Sequence, residues 1–169
     1  MTIHTSGEGI LSRDSGKKRE QIVGLLEQAY FAELETVMNY VSNSINPDGV
    51  RAQEIIEALE EDIQEELGHA QQFGKRIKEL YGVVPGSMEF KPSQASLQPP
   101  SSQTDVVHVI RGVIDAETAA IELYTRIVEE TEGVDPVTND MVIGILRDEQ
   151  GHRRLFEGFL REYEIEGLA

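Results

Sequence analysis

Apolar residues recur at intervals of three and four in four long stretches of the chain, and no stretch of comparable length alternates with a period of two. The pattern predicts an all-α protein. A first helix is expected from about Gly16 to Ser44, with Ile22, Leu26, Tyr30, Val37 and Val41 as its inward stripe. Asn46-Pro47-Asp48-Gly49 reads as the turn that ends it. A second helix follows from about Val50 to Tyr81 through Ile56, Leu59, Ile63, Phe73, Ile77 and Leu80, with Gly82 as its stop. A third spans about Asp105 to Glu132 through Val106, Ile110, Val113, Ile121, Tyr124 and Val128. Asp135-Pro136 then offers an N-cap and a first-turn proline to a fourth, which runs to about Glu166 through Ile145, Phe156 and Phe159 and closes at Gly167.

The links decide how four helices assemble. Those after the first and third helices are short and force two antiparallel hairpins. Residues 83–104 hold four of the six prolines and no helical stripe, so they read as a connection. At ~3.3 Å per residue this segment can reach ~70 Å, enough to cross the length of a bundle and start the third helix at the far end. The expected architecture is a four-helix bundle of two antiparallel hairpins joined by one long crossover. Residues 1–15 read as a flexible tail and 16–169 as the bundle.

Composition narrows the chemistry. The chain has 169 residues, 39% hydrophobic and 27% charged, and no apolar run approaches the ~18 residues of a membrane span. Its first ten residues lack the basic start and apolar stretch of a secretory signal, so a cytoplasmic protein with no membrane partner is expected. With no cysteine there is no disulfide, thiolate zinc site, iron–sulfur cluster or thiol nucleophile. A net charge of -16 opposes nucleic-acid binding and suits cations. Lys17, Lys18 and Arg19 form the only basic run, read as a solvated helix start.

One repeat carries the candidate chemistry. The second helix contains Glu66-Leu67-Gly68-His69 and the fourth Glu149-Gln150-Gly151-His152, each followed by a phenylalanine seven residues after its glutamate, Phe73 and Phe156. In the partner helices Glu33 precedes Tyr40 and Glu117 precedes Tyr124 by the same seven. At ~100° per residue all four glutamates interrupt apolar stripes, and each histidine shares a face with the glutamate three positions earlier. Four carboxylates buried without partners would each cost several kcal/mol, so something cationic is required. Arg153 alone among the basic residues lies near a site glutamate in sequence and around the helix, and one arginine does not balance four carboxylates. Two divalent ions do: four negative charges and two neutral imidazoles meet four positive charges. His4 and His108 stand apart from this set.

A glutamate from each of two helices with Glu-x-x-His from each of the other two is the ligand pattern of ferritin-like di-iron and di-manganese carboxylate proteins. Within that superfamily the chain resembles bacterioferritin and the Dps-like proteins with a bacterioferritin-type site inside one subunit. Residues 65–82 (EELGHAQQFGKRIKELYG) and 145–157 (ILRDEQGHRRLFE) carry the resemblance, which extends over residues 17–165. It implies that Glu66 and Glu149 bridge two metals, that Glu33 with His69 completes one ligand set and Glu117 with His152 the other, and that Tyr40 and Tyr124 hydrogen-bond ligand carboxylates or donate an electron. Leu67 stands where a haem-ligating methionine would, so no haem is predicted, and the 17 residues after His152 do not provide the short fifth helix of the larger cages.

Oxygen and imidazole donors suit iron(II), with manganese(II) as the other candidate. The expected function is a ferroxidase that oxidises iron(II) with dioxygen or hydrogen peroxide and feeds a mineral inside a homo-oligomeric shell of roughly twelve or more subunits. The alternatives are a non-storage di-iron or di-manganese redox enzyme, peroxidase- or catalase-like and as small as a dimer, and a bundle that metals merely staple.

Overall fold

The computed structural model describes residues 9–169, so His4 lies outside the described residues. Four helices form the bundle: α1 (Gly16–Ile45), α2 (Gln53–Glu79), α3 (Val106–Thr131) and α4 (Pro136–Ile165). Among the described residues there is no strand, and no helix is long and apolar enough to cross a membrane. α1 packs along α2 and α3 along α4, as the short links require, and α1 also meets α3. Asp135 caps α4 by accepting from the Thr138 backbone N–H, with Pro136 in the first turn.

The core forms two clusters on either side of mid-bundle. One gathers Ile22, Leu26, Phe73, Ile77, Tyr124 and Ile145, the other Tyr40, Leu59, Leu97, Ile110, Val113 and Phe156. Between them lie the four glutamates. The inward face of α1 differs from the expected stripe: it runs through Ala29, Glu33, Thr36, Tyr40 and Asn43, while Val41 is 40% exposed and Val37 only half-buried. The stripe is hard to see because its second half is polar, matched to polar groups of the crossover instead of to a greasy core.

That crossover lies ordered along α1. Both carboxylate oxygens of Glu35 are used on it: Oε1 accepts from the backbone N–H groups of Ser93 and Gln94 at 2.7 and 2.8 Å, and Oε2 from the Ser93 hydroxyl at 2.9 Å. Asn43 Nδ2 donates to the Leu97 carbonyl at 2.8 Å, and the Asp48 N–H donates to the Gln103 carbonyl at 2.8 Å, joining the turn after α1 to the end of the crossover. On its other side the crossover presses on Gly112, where a β-carbon would stand 2.6 Å from the Ser96 carbonyl oxygen.

The start of the chain also departs from expectation. Residues 9–15, read as flexible tail, form two 3-10 turns, and Ile10 is buried against Ile22 and Leu25 of the first core cluster. Arg19 holds them there by donating to the Ile10 and Ser12 carbonyls, both at 3.0 Å, and its guanidinium lies over the Tyr81 ring. The basic run is therefore not merely solvated: Lys18 pairs with Glu130 and Arg19 anchors the entering chain.

Candidate metal centre

Each helix brings one glutamate to mid-bundle. Glu33, Glu66, Glu117 and Glu149 are at most 2% exposed, and His69 and His152 are buried beside them. The α-helical rise of ~1.5 Å per residue puts each histidine one turn beyond its own glutamate, so both side chains reach the same region between the helices. His69 Nδ1 lies 3.1 Å from Glu149 Oε1, 3.3 Å from Glu66 Oε2 and 3.7 Å from Glu33 Oε1. His152 Nδ1 lies 3.1 Å from Glu66 Oε1, 3.5 Å from Glu149 Oε2 and 3.9 Å from Glu117 Oε1.

Two sets of four donors result. One atom each from Glu33, Glu66, His69 and Glu149 lies within 4.8 Å of the others, and the same holds for Glu66, Glu117, Glu149 and His152. Glu66 and Glu149 belong to both. All six residues expected from the sequence are thus brought together. His108 is not among them: its Nε2 is 3.0 Å from the Gln98 carbonyl, tying α3 to the crossover.

The donor set fits a pair of cations. Glu66 Oε1, Glu149 Oε1 and His152 Nδ1 are buried with no hydrogen-bond partner in acceptable geometry, although they crowd within 3.1–3.5 Å of one another's groups. Unpartnered buried lone pairs are costly, and several pointed at one volume are what a metal ion satisfies. Arg153 offers no relief, since its side chain turns outward to Glu157 at 3.0 Å.

Without metal, protons balance the site. Burial, with the charges of Glu66 and Glu149, holds Glu33 well above the usual carboxylate range; burial and the same two charges do this to Glu117. Burial also raises Glu66, but the close approach of the His152 and His69 imidazoles outweighs it and brings it down to about 2, and Glu149 is lowered by the same two partners. Burial opposes the charged imidazoles, yet the Glu149 and Glu66 carboxylates close to them carry His69 up to about 10 and His152 up to about 12. Glu66 and Glu149 as carboxylates then face two imidazolium ions, with Glu33 and Glu117 biased toward their neutral form.

The tyrosines cross between halves. The Tyr40 hydroxyl of α1 donates to Glu117 Oε1 of α3, and the Tyr124 hydroxyl of α3 donates to Glu33 Oε1 of α1. Burial and the neighbouring carboxylates push both phenols well above their ordinary pKa, so both remain donors. Phe73 packs against Tyr124 with ring centroids 5.3 Å apart.

Sequence reasoning missed the groups behind the histidines. His69 Nε2 lies 3.3 Å from Asp148 Oδ2, and His152 Nε2 lies 3.1 Å from Glu65 Oε2 and 3.6 Å from Asp62 Oδ1. Carboxylates at this position orient a ligand imidazole and raise its basicity. The signal was present, because the repeat extends one residue further: Glu65-Glu66 in α2 and Asp148-Glu149 in α4. Each acid serves the histidine of the opposite hairpin.

Comparison with known proteins agrees with this picture. Residues 23–165 match the family described as ferritin-like domain. The DNA protection during starvation protein of Pyrococcus furiosus is 30% identical over 144 residues, covering 83% of this chain and 77% of that protein. A bacterioferritin of Desulfovibrio desulfuricans is 26% identical over 141 residues, covering 83% and 74%. In fold, the chain resembles a dodecameric thioferritin, the bacterioferritin-related protein from Bacteroides fragilis, with a TM-score of 0.77 at 24% identity over 92% of this chain and 97% of that one.

Proposed function

We propose, for a chain that belongs to the ferritin-like domain family, that it is a ferroxidase whose substrate is iron(II), and that it stores the oxidised product in a cytoplasmic homo-oligomeric shell. The observation that carries this reading is the pair of overlapping donor sets sharing Glu66 and Glu149. Glu33 and His69 complete the set at one iron position and Glu117 and His152 complete the other. Two iron(II) ions together supply two electrons, the number that takes dioxygen to hydrogen peroxide or hydrogen peroxide to water. Carboxylate-rich donors favour the ferric product, and manganese(II) competes for the same oxygen-rich sites.

The remaining residues act through protons and position. Tyr40 and Tyr124 hold the Glu117 and Glu33 carboxylates by donating to one oxygen, which leaves the other oxygen free to face a cation. Glu65, Asp62 and Asp148 hold the outer nitrogens of the histidines so that Nδ1 faces the centre. The acidic surface of a chain with charge -16 concentrates cations around it.

Addition of well over two iron(II) per chain in air, followed by ferric absorbance and particle size, tests the reading. Continued oxidation with the product retained in a large particle supports storage. Oxidation that stops at two irons per chain in a small species favours the non-storage redox enzyme, and no oxidation defeats both.

A further inference from the structure

The metal centre is buried on all sides, but its walls differ in kind. Toward the surface of α2 and α4 the histidines are backed by carboxylates, Asp148 behind His69 and Glu65 with Asp62 behind His152. Toward the surface of α1 and α3 the backing is alanine. At ~100° per residue Ala32 stands beside Glu33 on α1, and Ala116 takes the same place beside Glu117 on α3. Ala29, one turn before Glu33, and Ala120, one turn after Glu117, extend the pattern, so this wall is built largely of methyl groups. Against it the surface is hollow. A groove of about 370 Å³ lies between α1, α3 and the crossover, with Phe31, Ala32, Ala116, Ala120 and Leu123 along it. The polar groups that border it are already matched: both oxygens of Glu35 accept from Ser93 and Gln94, and Glu89 and Lys91, both exposed, carry opposite charges.

We propose that this groove is the port through which dioxygen reaches the centre, on the side opposite the carboxylates that back the histidines. The proposal rests on the ferroxidase reading and names its oxidant. The occupant follows from charge and polarity. Dioxygen is small, neutral and apolar and forms no hydrogen bonds worth keeping, so it crosses a wall of methyl groups without a desolvation cost. A hydrated cation would shed water there with no free carboxylate to replace it, whereas Asp62, Glu65 and Asp148 offer oxygens on the other side. Hydrogen peroxide, which both donates and accepts, would likewise forfeit its hydrogen bonds in the groove. The alanines fit the role because they keep water out while leaving no side chain beyond a β-carbon to be displaced. A larger residue at Ala32 or Ala120, both half-buried along the groove, has open space to extend into and would fill the port without entering the core.

Stopped-flow mixing of the full chain, loaded anaerobically with iron(II), against dioxygen or against hydrogen peroxide is the test. In Ala32→Phe and Ala120→Phe the rate constant for dioxygen is expected to fall several-fold, with the rate for hydrogen peroxide, the anaerobic iron(II) affinity and the iron bound per chain unchanged. Wild-type crystals under xenon pressure supply an arm that needs no substitution, since apolar pockets take up xenon. A xenon atom is expected against Ala32, Ala116 and Ala120. The proposal is overturned by dioxygen rates that match wild type in both variants, by equal slowing with both oxidants, by weakened iron(II) binding, which would make the groove a cation route, or by no xenon at the alanines. Wild type that oxidises iron(II) with hydrogen peroxide alone also overturns the port and leaves the ferroxidase reading standing. Wild type that oxidises it with neither defeats that reading and the port with it.

Discussion

The two hairpins of the bundle supply the same candidate ligands but different surroundings. Glu33, Tyr40, Glu66 and His69 of the first are matched by Glu117, Tyr124, Glu149 and His152 of the second, down to the hydroxyl that each tyrosine sends across to the opposite glutamate. Behind the histidines the match fails. His152 is flanked by Asp62 and Glu65, whereas His69 has Asp148 alone, since the position equivalent to Asp62 in the second hairpin is Ile145. The halves match where they touch the centre and differ on the outer flank. The position served by His152 therefore sits in the more negative environment and should hold a cation more tightly.

The largest effects should come from residues the halves share. Glu66→Ala or Glu149→Ala removes a donor from both sets and is expected to lower iron affinity by more than ~100-fold and abolish fast oxidation while the protein stays helical. Glu33→Ala or Glu117→Ala should instead leave one set intact, and an anaerobic iron(II) titration should then show one tight ion in place of two. Equal damage from all four variants would erase the distinction between shared and private ligands.

Protons provide the next test. His69 and His152 carry protons in the metal-free core near neutral pH that a loaded core lacks, and burial biases Glu33 and Glu117 toward their neutral form, so binding divalent ions should release protons, measurable in a pH-stat, and affinity should fall as pH falls. The sign for stability is also fixed. Histidines with raised folded pKa values contribute stability that is complete below 6.5 and lost as pH rises through about 10 and about 12. Glu66 works in the opposite direction, its contribution being present above 4.5 and lost as pH falls toward about 2. The metal-free protein should therefore melt at progressively lower temperature from neutral toward alkaline pH. Loading with metal should flatten that slope.

Tyr40→Phe and Tyr124→Phe strip a donor from a buried carboxylate, at a cost of about 1–3 kcal/mol in the metal-free protein. Similar costs for the two, read by denaturant unfolding, would support the equivalence of the inner halves. Asp62→Asn is a smaller and one-sided change. It is expected to weaken only the His152 position, by about tenfold, and to bring the two iron affinities closer together. Unchanged separation of the two affinities would remove Asp62 as the source of asymmetry.

How much of this was legible in the sequence follows from where side chains point. Helix periodicity located all four helices to within a few residues, because long amphipathic stretches bounded by Pro47, Gly82 and Pro136 leave little choice. The six candidate ligands were legible because charged residues inside apolar stripes break the pattern twice over, in matching places. The inner face of α1 around Tyr40 was not, because Thr36, Asn39 and Asn43 are buried against polar groups of the crossover and so carry no apolar signature. Arg76 was likewise invisible: it is buried, bonded to Asp135 and Thr138 at 2.8 Å each, a contact between residues about sixty positions apart. Ile10 escaped notice because a single apolar pair, Ile10-Leu11, among glycines and serines gives no period.

The central claim is that Glu66 and Glu149 are held in common by two metal positions. Anaerobic crystals loaded with iron(II), with data collected above and below the iron absorption edge, test it most directly. Two anomalous peaks per chain are expected about 3.5–4 Å apart, each within bonding distance of both Glu66 and Glu149, one beside His69 and the other beside His152. A single peak, or two peaks of which either lacks one of those carboxylates, would contradict it.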